Sequence, residues 1–204
     1  MLYRKYFLFI LLLCCFSAPA FSQEFLGGLR GGLTATQVAG DGLSGFNQLG
    51  VQAGGFVSLP VSEKGSLQMG IDYIQKGSKK PYDKDTYMFY TMRLAYVEVP
   101  VLFRYRITKD FTGEAGPSFG TLVYSHEENE QGTFRNAKPF SKYELSLQFG
   151  LDYRLSAKWS FDSRFSTSII PIRDFNEDYH SIYFDKPQFN TVLAFALEYT
   201  FNGK

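Results

Sequence analysis

The stretch "KYELSLQFGLDYRLS", residues 142–156, alternates apolar and polar side chains almost without fault. Its odd-numbered positions, from Tyr143 to Leu155, are all aromatic or aliphatic, whereas its even-numbered positions are polar or glycine. A period of two predicts a β-strand with one apolar and one polar face. The predicted strand is long, because strands of soluble domains usually have about 5–6 residues.

The same alternation recurs along the chain and predicts eight strands. Their approximate bounds are 24–36, 49–60, 66–77, 92–107, 111–124, 142–155, 159–170 and 188–201. Short connections follow the second, fourth and sixth strands, and long polar segments follow the first, third, fifth and seventh. In an antiparallel sheet this order places every short turn at one end and every long loop at the other.

The beginning of the chain has the pattern of a secretory signal peptide. A basic pair precedes the apolar run Tyr6–Phe16, and small residues occupy the −3 and −1 positions of a cleavage site that ends at Ser22. We therefore expect residues 1–22 to be the signal peptide, exported by the Sec route, and Gln23 to begin the mature chain. Both cysteines lie in this segment, so residues 23–204 would form one domain without disulfides.

Composition narrows the class of protein further. The formal net charge of +1 gives no basic field, so we expect no nucleic-acid partner. Mean hydropathy is −0.16. After the signal peptide no segment has the about 20 continuous apolar residues of a membrane-spanning helix. Aromatic residues make up 18% of the chain, which is high for a soluble domain.

Alternation alone does not decide which face points inward. A soluble, lipocalin-like lipid carrier would be apolar inside, and a membrane barrel would be apolar outside. Strand length, the division into short turns and long loops, and aromatic residues near strand ends, such as Trp159 and Phe201, favour the membrane. We therefore predict an all-β fold, an eight-stranded antiparallel up-and-down transmembrane β-barrel of the outer-membrane type.

The even-numbered face would then line the interior of the barrel. Acidic and basic residues are interspersed on it, so they can pair with one another, and an eight-stranded barrel is narrow enough for its own side chains to fill. We predict a lumen charge network of Arg30, Asp72, Glu98, Arg104, Arg106, Glu114, Glu144, Asp152, Arg154, Asp162, Arg164 and Glu198. A solute-selective lining of a small channel is the alternative.

Two predicted strands contain a proline, which has no backbone N–H to donate to the sheet. Pro100 lies in the fourth strand and Pro117 in the fifth. Proline within a sheet usually accompanies a bulge or an edge, so we expect a bulge or bend at each position.

Nothing in the sequence predicts catalysis. His126 and His180 are the only histidines, both lie in long loops, and neither belongs to a recognisable triad. Residues 174–185 begin like a calcium loop, but the sixth position is Tyr179 instead of glycine and the twelfth is Asp185 instead of glutamate. We predict no enzyme activity, no catalytic residue, no cofactor and no metal site, and leave open whether this acidic loop binds a cation.

Three segments resemble a known family. They are "GLRGGLTAT" (28–36), "GIDYIQKGSKK" (70–80) and "YVEVPVLFRYRI" (96–107), and they are similar to strands of the PorT-like outer-membrane β-barrel family of Bacteroidetes. The resemblance implies a barrel in the outer membrane of a diderm bacterium. One branch of that family is associated with protein secretion and gliding machinery, which implies a link to secretion or envelope assembly.

The resulting functional prediction is an outer-membrane barrel with a structural or interaction role. Its partners would be outer-membrane lipid and a protein or glycan that meets the extracellular loops. Both termini would be periplasmic, because outer-membrane barrels have periplasmic turns and extracellular loops.

Overall fold

The computed structural model describes residues 25–82, 84, 87–130, 132–133, 138–174 and 186–201. The predicted signal peptide and nearly all of the acidic loop 174–185 lie outside these residues. The strands are β1 Leu26–Ala39, β2 Gln48–Pro60, β3 Gly65–Lys80, β4 Tyr90–Arg106, β5 Phe111–Asn129, β6 Gly132–Thr133, β7 Tyr143–Arg154, β8 Trp159–Ser168 and β9 Phe189–Thr200.

Eight of these strands form a closed barrel. Neighbouring wall strands pair antiparallel in chain order, with β5 followed by β7, and β1 pairs with β9 to close the wall. The two-residue β6 pairs with the end of β5 and adds no wall strand. The predicted eight-stranded antiparallel barrel is confirmed.

Four wall strands, β1, β3, β4 and β5, extend at least two residues further than predicted at the long-loop end, and β1 continues to Ala39. β3 continues to Lys80 and β5 to Asn129, and both pair there with Tyr90 at the start of β4. The extensions of β3 and β5 are polar on both faces, so the alternation that marks a half-buried strand is absent although the backbone ladder continues. Through these extensions β3 and β5 each remain paired with β4.

Side-chain exposure decides which face points inward. Leu33, Leu49 and Ile71 are 65%, 73% and 64% exposed, whereas Thr34 and Asp72, on the opposite face, are buried. The apolar face therefore points outward. The interpretation as a soluble carrier with an apolar cavity is wrong, because that fold requires the opposite orientation of the same strands.

Aromatic side chains surround the outside of the barrel at the short-turn end. Phe111 stacks against Tyr153 with ring centroids 4.9 Å apart, and Trp159 lies 5.0 Å from Tyr199, which in turn contacts Phe201. Aromatic rings concentrate at this depth because they have an apolar body and, in Tyr and Trp, a polar group. They mark one edge of the lipid-facing band. Within the described residues, no helix has the length and apolar character needed to cross a membrane.

The bulge predicted at Pro100 lies elsewhere. Neither Pro100 nor Pro117 lies at a register shift, so the predicted bulge is absent at both positions. The paired positions are nevertheless interrupted beside Pro100 on both sides of β4. A bend at either proline stays a prediction. The register shift lies between residues 95 and 96 of β4, opposite an extra residue in β5. This shift reverses the facing of the rest of β5, so that odd-numbered Glu127 points inward and is buried.

The interior has an apolar layer as well as charged side chains. At the long-loop end, the inward positions of β4 are apolar and pack with residues from the other wall strands and from the segment after β8. This cluster consists of Val38, Ile74, Tyr90, Met92, Leu94, Tyr96, Ile172, Val192 and Ala194. The sequence analysis predicted a polar lumen from the alternation on the even face. In the structure the polar interior extends through only part of the barrel, and the apolar layer occupies the rest.

Candidate functional site

Arg104 connects opposite walls of the barrel. It lies on β4, and its guanidinium contacts Glu114 on β5 at 3.2 Å, Asp152 on β7 at 3.0 Å and Glu198 on β9 at 3.5 Å. Since β9 stands four strands away from β4 in an eight-stranded wall, the pair with Glu198 spans the full width of the lumen. One side chain thus fills the centre of the barrel at this level.

Lys76 occupies the next level towards the long loops. Its ammonium group is paired with Glu98 of β4 and lies 3.0 Å from Oε1 of Glu144 on β7. It also lies 5.2 Å from the ring centre of Tyr96. The ammonium is buried together with both carboxylates, so this single cation, shared between two acids, offsets part of their negative charge in place of water.

Arg30 and Arg164 complete the charged layer. Arg30 on β1 contacts Asp72 and Glu198 at 3.4 Å each. Arg164 on β8 is paired with Asp162 and lies 2.6 Å from Oε1 of Glu114. Because Glu114 and Glu198 also contact Arg104, the pairs of the three arginines form one continuous network. Gln148 connects the Lys76 pairs to it, since its amide donates to Glu98 at 3.2 Å and accepts from Arg164 at 3.5 Å.

The structure brings together ten of the twelve residues predicted for the lumen charge network. Arg106 and Arg154 are exceptions: they point inward but lie exposed at the short-turn end, with no ion pair among the described residues. Lys76 is a member that the sequence analysis missed. The signal was available, because Lys76 is even-numbered within β3, but the following "GSKK" resembles a loop. The network therefore has four cations, Arg30, Lys76, Arg104 and Arg164, and seven carboxylates.

A second ionic cluster closes the long-loop end above the apolar layer. Arg173, in the segment after β8, donates two hydrogen bonds to Glu127 at 2.6 and 3.2 Å, and the hydroxyl of Tyr90 donates to the same carboxylate. The guanidinium also stacks 3.7 Å from the ring centre of Phe140. The neighbouring Ile172 is fully buried in the apolar cluster. The described long-loop segments that carry Phe140 and Ile172 thus fold into this end of the barrel.

Asp41, in the first long loop, is buried close to this cluster. The backbone N–H of Leu43 donates to its carboxylate at 2.9 Å. Burial raises the pKa of the Asp41 carboxyl above its ordinary value, and the charge of Glu127 acts in the same direction.

The short-turn end is open, in contrast. A cavity of about 340 Å³ enters the barrel there and ends at the charged layer. Its lining includes the exposed Arg106 and Arg154, with Arg104 and Asp152 at its inner end. The interior is therefore blocked at one end and recessed at the other.

The described residues contain no group of three or more His, Cys, Asp or Glu side chains that could hold a metal ion. His126 lies on the outer face of β5, 3.3 Å from the carboxylate of Glu128. His180 and the remainder of the acidic loop 174–185 lie outside the described residues, so its cation binding stays an open question.

A closed barrel with an apolar exterior, an aromatic girdle and an ion-paired interior defines the class of outer-membrane β-barrel proteins. Residues 21–174 match the model of the outer membrane protein beta-barrel domain family. The chain belongs to this family, and its location is the bacterial outer membrane, where lipid contacts the apolar exterior.

Two solved structures are similar to this chain. Neisserial surface protein A is similar with a TM-score of 0.55 and 10% identity, over 86% of this chain and 97% of the other. Ail, the attachment invasion locus protein of Yersinia pestis, has a TM-score of 0.49 and 13% identity, over 87% of this chain and 99% of the other. At these identities the likeness concerns the fold alone. No curated protein matches the chain significantly in sequence.

Proposed function

We propose that this protein is a non-conducting outer-membrane barrel that acts as an interaction protein through its long loops. The observation that carries the proposal is the blocked interior: Arg104 pairs with Glu198 across the full lumen, and Ile172 fills the long-loop end. A barrel whose interior is occupied in this way works through its surfaces instead of its lumen. The non-enzymatic role belongs to the same proposal.

The proposed orientation has both termini and all short turns in the periplasm, and the long loops outside the cell. Residue pairing supports a common side for the termini, because Gly28 near the start of β1 is opposite Thr200 at the end of β9. Outer-membrane barrels have short periplasmic turns and longer extracellular loops. Export through a cleaved signal peptide of residues 1–22 is part of the proposal.

A protein or glycan is the proposed partner of the long-loop end. Tyr82 and Tyr87, between β3 and β4, are 57% and 71% exposed, and their rings make an edge-to-face contact. Exposed aromatic residues beyond the membrane band are common at binding surfaces. The finer proposal, a PorT-like protein that serves secretion or envelope assembly, rests on the sequence resemblance.

Conductance in planar lipid bilayers tests the blocked lumen. We expect the refolded protein to insert without stepwise current, whereas the alternative of a small-solute channel predicts discrete steps. Loop-directed interaction is tested by a photo-crosslinking residue in place of Tyr87, with the exposed Glu63 in the short turn between β2 and β3 as the matched control. Adducts in whole cells are expected at Tyr87 alone. Stepwise conductance, or equal adducts at both sites, would contradict the proposal.

A further inference from the structure

The cavity at the short-turn end has an unusual charge distribution. Five cationic side chains line it, from four different parts of the wall: Lys64, Arg104, Arg106, Arg154 and Lys158. Only two carboxylates, Asp152 and Glu198, share the same lining. The concave surface is therefore predominantly positive, although the chain as a whole is nearly neutral.

Both carboxylates of the cavity are already paired at its inner end. Asp152 lies 3.0 Å from a guanidinium nitrogen of Arg104, and Glu198 contacts Arg104 and Arg30 at 3.5 and 3.4 Å. By contrast, neither Arg106 nor Arg154 has a carboxylate within 4.0 Å among the described residues. The cations nearest the opening therefore have no internal counter-charge in direct contact.

Hydroxyl groups also contribute to the lining, together with the apolar side chains Leu26, Phe56, Pro60, Ala157 and Trp159. Ser58, Ser66, Thr112, Ser156, Ser160 and Thr200 all contribute to the cavity wall. Arginine forks combined with hydroxyl donors are suited to oxyanions with several acceptor oxygens, and phosphate is the commonest such group. The volume of about 340 Å³ is at the small end of the range for ligand pockets, which suits a small anion or a single head group.

We propose that the short-turn cavity is a binding site for a phosphate-bearing anion. Arg106 and Arg154 would bind the phosphate oxygens directly. The phosphate could come from a soluble phosphorylated compound or from the head group of an anionic phospholipid at the rim, and the site recognises the chemistry that both share. The geometry of the cavity carries this proposal, and the blocked lumen and the loop partner are independent of it.

Pyrophosphate is the probe for the soluble source. The full chain, refolded in an uncharged detergent, is titrated with pyrophosphate by calorimetry, and the variant R106A/R154A is compared with K79A/R93A. The control removes two cations from the outer face near the long loops. We expect saturable binding by the wild type and the control, and at least tenfold weaker binding by R106A/R154A. A gel shift on boiling verifies that each variant is folded.

Native mass spectrometry of the same proteins after extraction from vesicles of phosphatidylglycerol and phosphatidylcholine tests the lipid source. Retention of phosphatidylglycerol that is lost in R106A/R154A but kept in K79A/R93A would support the proposal and assign the phosphate to lipid. The proposal would be overturned if neither pyrophosphate nor phosphatidylglycerol bound more weakly to R106A/R154A than to the wild type and K79A/R93A. The proposal would also be overturned if the wild type bound neither probe and R106A/R154A folded but unfolded more easily than the wild type. The two arginines would then serve only to offset the charge of the carboxylates deeper in the cavity.

Discussion

Replacing Lys76 with methionine removes the one cation that contacts both Glu98 and Glu144 in the described part of the barrel. Methionine keeps most of the side-chain volume, so the change leaves two buried carboxylates uncompensated without opening a large cavity. Removing one partner of a buried ion pair costs about 3–5 kcal/mol. We therefore expect K76M to lower the free energy of unfolding by this amount, which is more than a hundredfold in the equilibrium constant.

The remaining contacts of the two carboxylates do not replace the lost charge. Ser118 and Gln148 donate to Oε2 of Glu98 at 3.4 and 3.2 Å, and Ser168 and Asn190 donate to the two oxygens of Glu144 at 2.7 and 3.1 Å. A glutamine carbonyl can accept the bonds to Glu98 and the bond from Asn190, and the hydroxyl of Ser168 can turn to accept from the amide N–H at position 144. The triple variant K76M/E98Q/E144Q should therefore recover most of the loss and unfold within about 1–2 kcal/mol of the wild type, since neutral replacement of a buried pair is often tolerated.

Urea unfolding in lipid vesicles, followed by the fluorescence of the single tryptophan, Trp159, measures these differences. Lys79 is the matched control, because it lies on the same strand but is exposed and makes no ion pair among the described residues. K79M should change stability by less than about 0.5 kcal/mol. If K76M lost less than about 1 kcal/mol, or if the triple variant were no better than K76M, the reasoning about a buried charge layer would be refuted.

Three further changes test other parts of the barrel. A Cβ at Gly32 would overlap the backbone of the neighbouring strand, whereas one at Gly31 would meet nothing within 4 Å. The refolding yield should therefore fall for G32A and stay unchanged for the control G31A. Equal yields would contradict the close approach of the two backbones at Gly32. Arginine at Leu33, near the middle of the lipid-facing band, should cost about 2–4 kcal/mol of unfolding free energy, against at most about 1 kcal/mol at Leu155 beside a short turn; equal costs would contradict the assigned membrane depth. Finally, R173A should accelerate amide hydrogen exchange in the segments that carry Phe140 and Ile172 at the long-loop end. Unchanged exchange would show that the guanidinium of Arg173 does not hold these segments in place.

The barrel itself could be predicted because its alternation is regular. Residues 142–156 and the other predicted strands show one apolar and one polar face. Strands of this length with two such faces match a closed barrel whose apolar face contacts lipid and whose polar face lines a narrow interior. Ten interior charged residues followed from the same parity, because a period of two fixes the facing of every residue within a continuous strand.

The remainder of the interior depends on features that alternation does not carry. Glu127 points inward only because an extra residue in β5 reverses the parity of its last residues. Tyr90 and Ile172 were missed because an apolar interior layer contradicts the rule that the inner face is polar. Arg106 and Arg154 have the correct parity, but position along the strand places them at the opening, where the charged layer has ended. Depth within the barrel is set by the register between strands, which a single sequence does not reveal.

Heat modifiability is the most direct test of the central claim, which is a closed barrel in the outer membrane. The full chain, residues 1–204, is expressed, the outer-membrane fraction is solubilised in detergent, and boiled and unboiled samples are compared on a gel. The account predicts that the protein is in this fraction and that boiling shifts its mobility, because a closed ladder of eight strands resists detergent until it is heated. A protein in the soluble fraction with unchanged mobility would contradict both the lipid-facing exterior and the closed wall.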